Sequence, residues 1–109
     1  MNPEDVIAEL KRIQEELGKG SDALYAAEVK LAEAEDRLDR AEAEAFLSAT
    51  GTAGERTAES RLVSADYRFA RDLARAEVNR VKTKIRNLES ASVAVSVMAK
   101  QIELTWRHA

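Results

Sequence analysis

Cysteine is absent from this chain of 109 residues, and proline, glycine, histidine and aromatic residues are scarce. Without cysteine, neither a disulfide nor a thiolate metal site can form. One proline and four glycines leave few positions at which a helix must stop. No apolar run approaches the ~18 residues that a membrane-spanning helix requires. These absences predict a soluble, cytoplasmic helical protein that has no membrane partner.

Residues for common active sites are missing as well. His108 is the only histidine, and its place beside the C-terminus predicts a frayed tail rather than a site. The carboxylates lack the Glu-x-x-His pairs of a di-metal bundle site. Neither GKGSD nor ATGTAG matches a phosphate-binding loop, and we expect no Cys–His or Ser–His nucleophile pair. The sequence therefore predicts a protein that is not an enzyme and has no catalytic residue, cofactor or metal.

Charge is abundant, and it is unevenly distributed. Charged residues make up 34% of the chain, and together with alanine and leucine they give a composition typical of long helices or coiled coils. Residues 1–50 hold thirteen acidic and six basic side chains, whereas residues 51–109 hold seven acidic and eleven basic ones. The two halves can therefore neutralise each other if one folds against the other.

The first half carries a heptad pattern, in which apolar or small residues recur at alternating intervals of four and three. Pro3 suits a first helical turn, with Asn2 as its cap. The pattern keeps its phase across Gly18 and Gly20, which favours one helix over 3–48, bent at this point. A break at 18–21, with a new helix from 22, is the alternative. The predicted seam is Val6, Leu10, Ile13, Leu17, Gly20, Leu24, Ala27, Leu31, Ala34, Leu38, Ala41 and Ala45.

A turn is predicted over 49–54. Gly51 can adopt a left-handed conformation after a helix end, and Thr52 with Glu55 forms a capping box for a second helix over 53–106. The apolar spacing in this helix changes phase near 73–78, as at a stutter. The predicted seam is Leu62, Phe69, Leu73 and Ala76, followed by Val78, Val81, Ile85, Leu88, Ser92, Val95, Ala99, Ile102 and Trp106.

Residues 90–99, SASVAVSVMA, alternate with the period of a β-strand. A strand here would have neither flanking turns nor a partner strand, so the stretch is predicted to be helical. Val95 continues the seam, whereas Val93 and Val97 start a second apolar stripe that reaches Leu104. A helix with apolar residues on two faces must be covered on two faces.

The fold class that follows is all-α: a single domain over 1–109, forming a long antiparallel, coiled-coil-like helical hairpin. Acidic and basic residues recur every seven positions and are predicted to pair across the hairpin, or between chains. Leftover apolar surface predicts a homodimer or higher oligomer, most simply a four-helix bundle. The predicted intrachain pairs are Glu42 with Arg61, Glu35 with Arg68, Glu28 with Arg75, Ala41 with Leu62, Ala34 with Phe69 and Ala27 with Ala76. The predicted oligomer interface is Val6, Leu10, Val93, Val95, Val97, Met98, Ile102 and Trp106.

The segment 56–86 is basic and contains two aromatic residues, Tyr67 and Phe69. Such a pattern can bind single-stranded nucleic acid by stacking and phosphate contact, although the pI near 5.3 makes DNA the less favoured partner. The candidate nucleic-acid contacts are Arg61, Tyr67, Arg68, Arg71, Arg75, Lys82 and Arg86.

The stretch AEAEAFLSATGTAGERTAESRL, followed by KIRNLES and an apolar C-terminal segment, resembles small all-helical proteins of tailed bacteriophages. These share a Gly-Thr-x-x-Glu-Arg pattern at a hairpin and are often encoded near recombination or single-strand-binding genes. The resemblance covers residues 25–105 and implies no catalytic residue.

The resemblance implies a non-enzymatic, oligomeric accessory protein of phage DNA recombination or replication, working in the bacterial host cytoplasm. Its expected partners are a second copy of itself and a phage recombination protein or a host protein. A weak single-stranded DNA-binding protein, or an inhibitor that sequesters a host protein, are the alternatives.

Overall fold

A computed structural model describes residues 2–107 of the chain, and the prediction for His108 lies outside the described residues. They form three α-helices: α1 (Pro3–Ser48), α2 (Ala53–Val63) and α3 (Ala65–Arg107). No strand occurs among residues 2–107, so the all-α prediction is confirmed, and residues 90–99 are helical throughout. The chain divides into two compact units, here called the terminal unit (Met1–Leu24 and Arg80–Ala109) and the turn unit (Tyr25–Asn79).

Helix α1 begins with a side-chain cap and continues through both of its glycines. The Asn2 Oδ1 atom accepts a hydrogen bond from the Asp5 backbone N–H at 2.9 Å, which satisfies one of the free donors at the helix start. At Gly20, a Cβ atom would lie only 3.0 Å from the Ile85 side chain, so the missing side chain lets α3 approach closely. All twelve residues of the predicted α1 seam are buried or half-buried.

The connection between α1 and α2 satisfies the backbone groups at both helix ends. Gly51 has a φ of 104°, a conformation that favours glycine. The Thr52 side chain accepts a hydrogen bond from the Glu55 N–H at 3.2 Å, which caps α2. Arg56 donates from Nε to the Phe46 carbonyl at 3.2 Å and stacks over the Phe46 ring at 4.8 Å. The turn therefore holds the end of α1 against the start of α2.

The predicted helix over 53–106 is divided at Ser64, which separates α2 from α3. The Ser64 hydroxyl is buried and donates to the Ser60 carbonyl at 2.7 Å, a bond that competes with regular helix geometry and bends helices. The backbone bonds from Ser64 to Ser60 and from Arg68 to Ser64 remain in place at 3.0 Å. Because the hydrogen-bond ladder continues, α3 starts in the same phase as α2 ends.

The predicted stutter near 73–78 is wrong, since the buried face keeps one phase from α2 into α3. Before Val78, this face consists of two buried serines and of half-buried residues. It does not include the predicted seam residues Leu62, Phe69, Leu73 and Ala76, which are exposed. Leu62 and Phe69 are 78% and 66% exposed, so neither packs on the predicted alanine of α1. From Ser60 to Val78, the observed buried or half-buried positions are Ser60, Ser64, Arg68, Arg71, Ala74 and Val78.

Two ion pairs connect the helices of the turn unit, but each arginine contacts a glutamate seven residues further along α1 than predicted. Arg68 Nη2 lies 3.2 Å from Glu42 Oε1, and Arg75 Nη2 lies 3.7 Å from Glu35 Oε1. The reason is that side chains lean toward the N-terminus of their own helix. In an antiparallel pair the side chains of the two helices lean in opposite directions along the common axis. Two long side chains can therefore meet although their Cα atoms lie at different levels. Ser60 has a short side chain, and its hydroxyl donates to the Glu42 carbonyl at 2.8 Å. The backbones of Ser60 and Glu42 therefore lie at nearly the same level.

The terminal unit contains a continuous apolar core. Val6, Ile13 and Val95 are buried together, where the start of α1 packs against the end of α3. The half-buried residues packed against them are Leu10, Leu17, Leu88, Ala91, Ala99 and Ile102.

Candidate interaction surfaces

An apolar groove lies in the terminal unit, between the first turns of α1 and the last turns of α3. Its volume is about 470 Å³, which is within the range of ligand pockets in proteins. Trp106, the only tryptophan of the chain, stands at its edge and is 70% exposed. The lining residues are Pro3, Val6, Ile7, Leu10, Ala99, Ile102, Glu103, Trp106 and Arg107.

Among the described residues that line the groove, only Glu103 and Arg107 are charged. Arg107 Nη2 lies 2.8 Å from Glu103 Oε1, one helical turn apart on α3, so the two charges neutralise each other. The remaining lining residues are uncharged. The described lining of the groove is therefore mainly apolar, with one neutral ion pair.

The predicted interface residues separate into two groups. Four of them belong to the core within the chain: Val6 and Val95 are buried, and Leu10 and Ile102 pack against them. Four remain exposed, namely Val93, Val97, Met98 and Trp106. Ile7 is also exposed and lines the groove, although its position beside Val6, rather than on the seam, left it out of the prediction.

Val93, Val97 and Leu104 are exposed on the part of α3 that belongs to the terminal unit. Because an α-helix turns about 100° per residue, these three residues lie on the side of α3 opposite the buried Val95. The predicted second apolar stripe is thus present on the helix, and it is separate from the groove.

The candidate nucleic-acid residues are partly engaged in other contacts. In the turn unit, Arg68 and Arg75 pair with carboxylates of α1, and Arg71 Nη2 lies 3.0 Å from Asp72 Oδ1. Arg61 and Tyr67 are exposed, and Tyr67 lines a small pocket with Arg37 and Asp66. Lys82 and Arg86 are exposed in the terminal unit.

The surface of α1 away from the groove carries local ion pairs. Arg12 Nη2 lies 2.6 Å from Glu9 Oε1, and Lys19 Nζ lies 3.3 Å from Glu16 Oε1. The hydrogen bond from Arg12 lowers the pKa of Glu9 and raises the pKa of Arg12 itself. The pair with Glu9 therefore persists above the ordinary pKa of a glutamate and is lost only as the pH falls through the lowered value.

The described residues form an all-helical chain of paired helices with exposed apolar side chains. Within residues 2–107, no group of three or more acidic or histidine side chains is arranged to hold a metal ion. In the same range, no helix is long and apolar enough to cross a membrane. Comparison of the chain with known protein families, curated proteins and solved structures finds no significant match.

Proposed function

We propose that this protein is a non-enzymatic, self-associating interaction module that acts by binding other proteins. The observation that supports this function is the apolar surface left open on the paired helices, above all at the groove. Large apolar side chains that stay exposed in contiguous patches mark interaction sites in water-soluble proteins. A partner that covers them removes this surface from water and stabilises the complex.

The mass of the purified protein tests this function. We expect light scattering at micromolar concentration to give at least twice the chain mass of 12.0 kDa, because association removes the exposed apolar side chains from water. A mass of one chain across the whole micromolar range would contradict self-association.

We further propose that the client of the module is a phage recombination protein, in line with the resemblance of residues 25–105 to phage helical proteins. The exposed stripe of Val93, Val97 and Leu104 is the surface available to it. Sequestration of a host protein is the alternative, and a pull-down that compares phage-infected with uninfected host lysate separates the two.

The alternative to a protein–protein interaction module is a protein that binds single-stranded DNA. We expect only weak binding, because Arg68, Arg71 and Arg75 already contact carboxylates and phosphate would have to displace those contacts. Fluorescence anisotropy of a labelled oligonucleotide at two salt concentrations measures it. Tight binding that weakens steeply with salt would favour the DNA-binding function, because phosphate contacts release counterions.

A further inference from the structure

The accessible surface of the chain is large for its mass. It amounts to 8051 Å², whereas a folded monomeric protein of 12.0 kDa exposes about 6,000 Å². The difference is therefore about 2,000 Å² per chain. A stable dimer of standard size buries about 800 Å² on each partner, so this excess is more than enough to supply one such interface.

Within the described residues, the side of α1 that faces the groove carries no charged side chain between Pro3 and Ser21. Successive residues on this side follow at helical spacing and are all uncharged. Glu4, Lys11, Glu15 and Asp22 border it, and Glu9, Arg12, Glu16 and Lys19 lie further around the helix. On α3, the charged groove residues Glu103 and Arg107 neutralise each other. The uncharged α1 series is Pro3, Ile7, Leu10, Gln14, Leu17, Gly18 and Ser21.

Small side chains on this side allow another backbone to come close. Beside Gly18 there is open space, because apart from the nearby backbone of α1 itself and the two neighbouring residues no atom lies within 4 Å of the position that a Cβ would take. Ser21 lies one turn further along α1, and Ala99 lines the groove from α3. The distance between packed helices depends on the side chains at the contact, so small residues allow a closer approach.

We infer that the occupant of the groove is a second copy of this chain, and that Trp106 of each copy inserts into the groove of the other. This inference rests on the proposed self-association and adds the surface through which the two copies associate. The α1 side of this face is uncharged and the Glu103–Arg107 pair on α3 is neutral, so two copies can meet here without setting these charges against like charges. A two-fold axis brings the same patch from both chains together, which forms a four-helix arrangement of two terminal units.

The fluorescence emission of Trp106 in the unaltered protein tests this interface. In one chain it is 70% exposed, and in the dimer it is buried, so its emission is expected to shift to the blue as protein concentration rises. The midpoint of this shift should coincide with the midpoint of the mass change in light scattering. Emission that stays constant while the mass changes would overturn the proposed location and leave self-association intact.

Ile7→Glu tests the same face, with Leu62→Glu as the matched control in the turn unit. Both residues are exposed in one chain, so both variants should keep the helical circular-dichroism signal. We expect Ile7→Glu to raise the dimer Kd at least about 100-fold, because the interface would bury one carboxylate from each chain. Leu62→Glu should keep the wild-type Kd.

The outcomes separate the inference from the function it rests on. An unchanged dimer Kd in Ile7→Glu, or dissociation by Leu62→Glu alone, overturns the groove as the interface. A wild-type protein with the mass of a single chain contradicts self-association itself. The dilution experiment on Trp106 uses the unaltered chain, so its result does not depend on the folding of either variant.

Discussion

Replacement of Ile13 by alanine is expected to lower the free energy of unfolding by about 2–5 kcal/mol, the range for removal of a fully buried aliphatic side chain. Ile13 has 0% of its surface exposed and belongs, with Val6 and Val95, to the core of the terminal unit. The truncation leaves a cavity that the rigid paired helices can close only in part. Urea unfolding followed by circular dichroism measures the loss.

Val93→Ala is the control for this prediction. Val93 is exposed in the single chain, and alanine has the higher helix propensity, so its free energy of unfolding should stay within about 0.5 kcal/mol of the wild type. All measurements need one fixed protein concentration, because association couples to stability. Equal effects of the two substitutions would show that Ile13 does not lie in a packed core.

Leu38→Ala is expected to destabilise the turn unit by a similar amount, about 2–5 kcal/mol. Leu38 is 4% exposed, and it is the largest of the buried side chains that α1 contributes to this unit. Its neighbours along the seam are Ala34 and Ala41, so no larger side chain on α1 can fill the space that it leaves. Chemical denaturation at fixed protein concentration gives the difference.

Leu47→Ala provides a matched control, with the same chemical change in the same helix. Leu47 is 75% exposed, so its truncation removes little buried surface, and we expect a change within about 0.5 kcal/mol. Hydrogen exchange adds spatial detail. Leu38→Ala should speed exchange of amides in residues 25–79, and unaltered protection there would contradict the placement of Leu38 in the core.

The seam of α1 could be read from the sequence because nearly every member is apolar. Leucine, isoleucine, valine and alanine mark positions from Val6 to Ala45, and the spacing alone indicates which side is buried. Gly18 and Gly20 do not end the helix, since an intact phase on both sides lets tertiary packing outweigh their low helix propensity.

The buried face of α2 and of the first part of α3 could not be predicted from apolar spacing, because most of its residues are polar. Ser60 and Ser64 are buried but satisfy their hydroxyls on carbonyls, and apolar periodicity instead indicated Leu62 and Phe69, which lie on the exposed side. One signal could have found the correct face. Counting back from Val78 at alternating intervals of four and three leads to Ala74 and Arg71, and further on to Ser64 and Ser60.

The groove was only partly predictable. Ile102 and Trp106 were identified by the seam, but apolar spacing does not reveal which seam residues the chain covers by itself and which it leaves open. Whether Val6 is core and Ile7 is surface depends on the rotation of α1 against α3, which only the packed helices determine.

The unbroken phase of the paired helices has a consequence for how such a chain can change in length. An insertion of one, two, five or six residues in α1 alone would rotate the later side chains by about 100° or more away from the buried face. Seven residues added to α1, with seven added at the matching level of α3, would restore the contacts on both sides. Length variants of this protein should therefore differ by paired heptads, whereas the turn around Gly51 should keep its size.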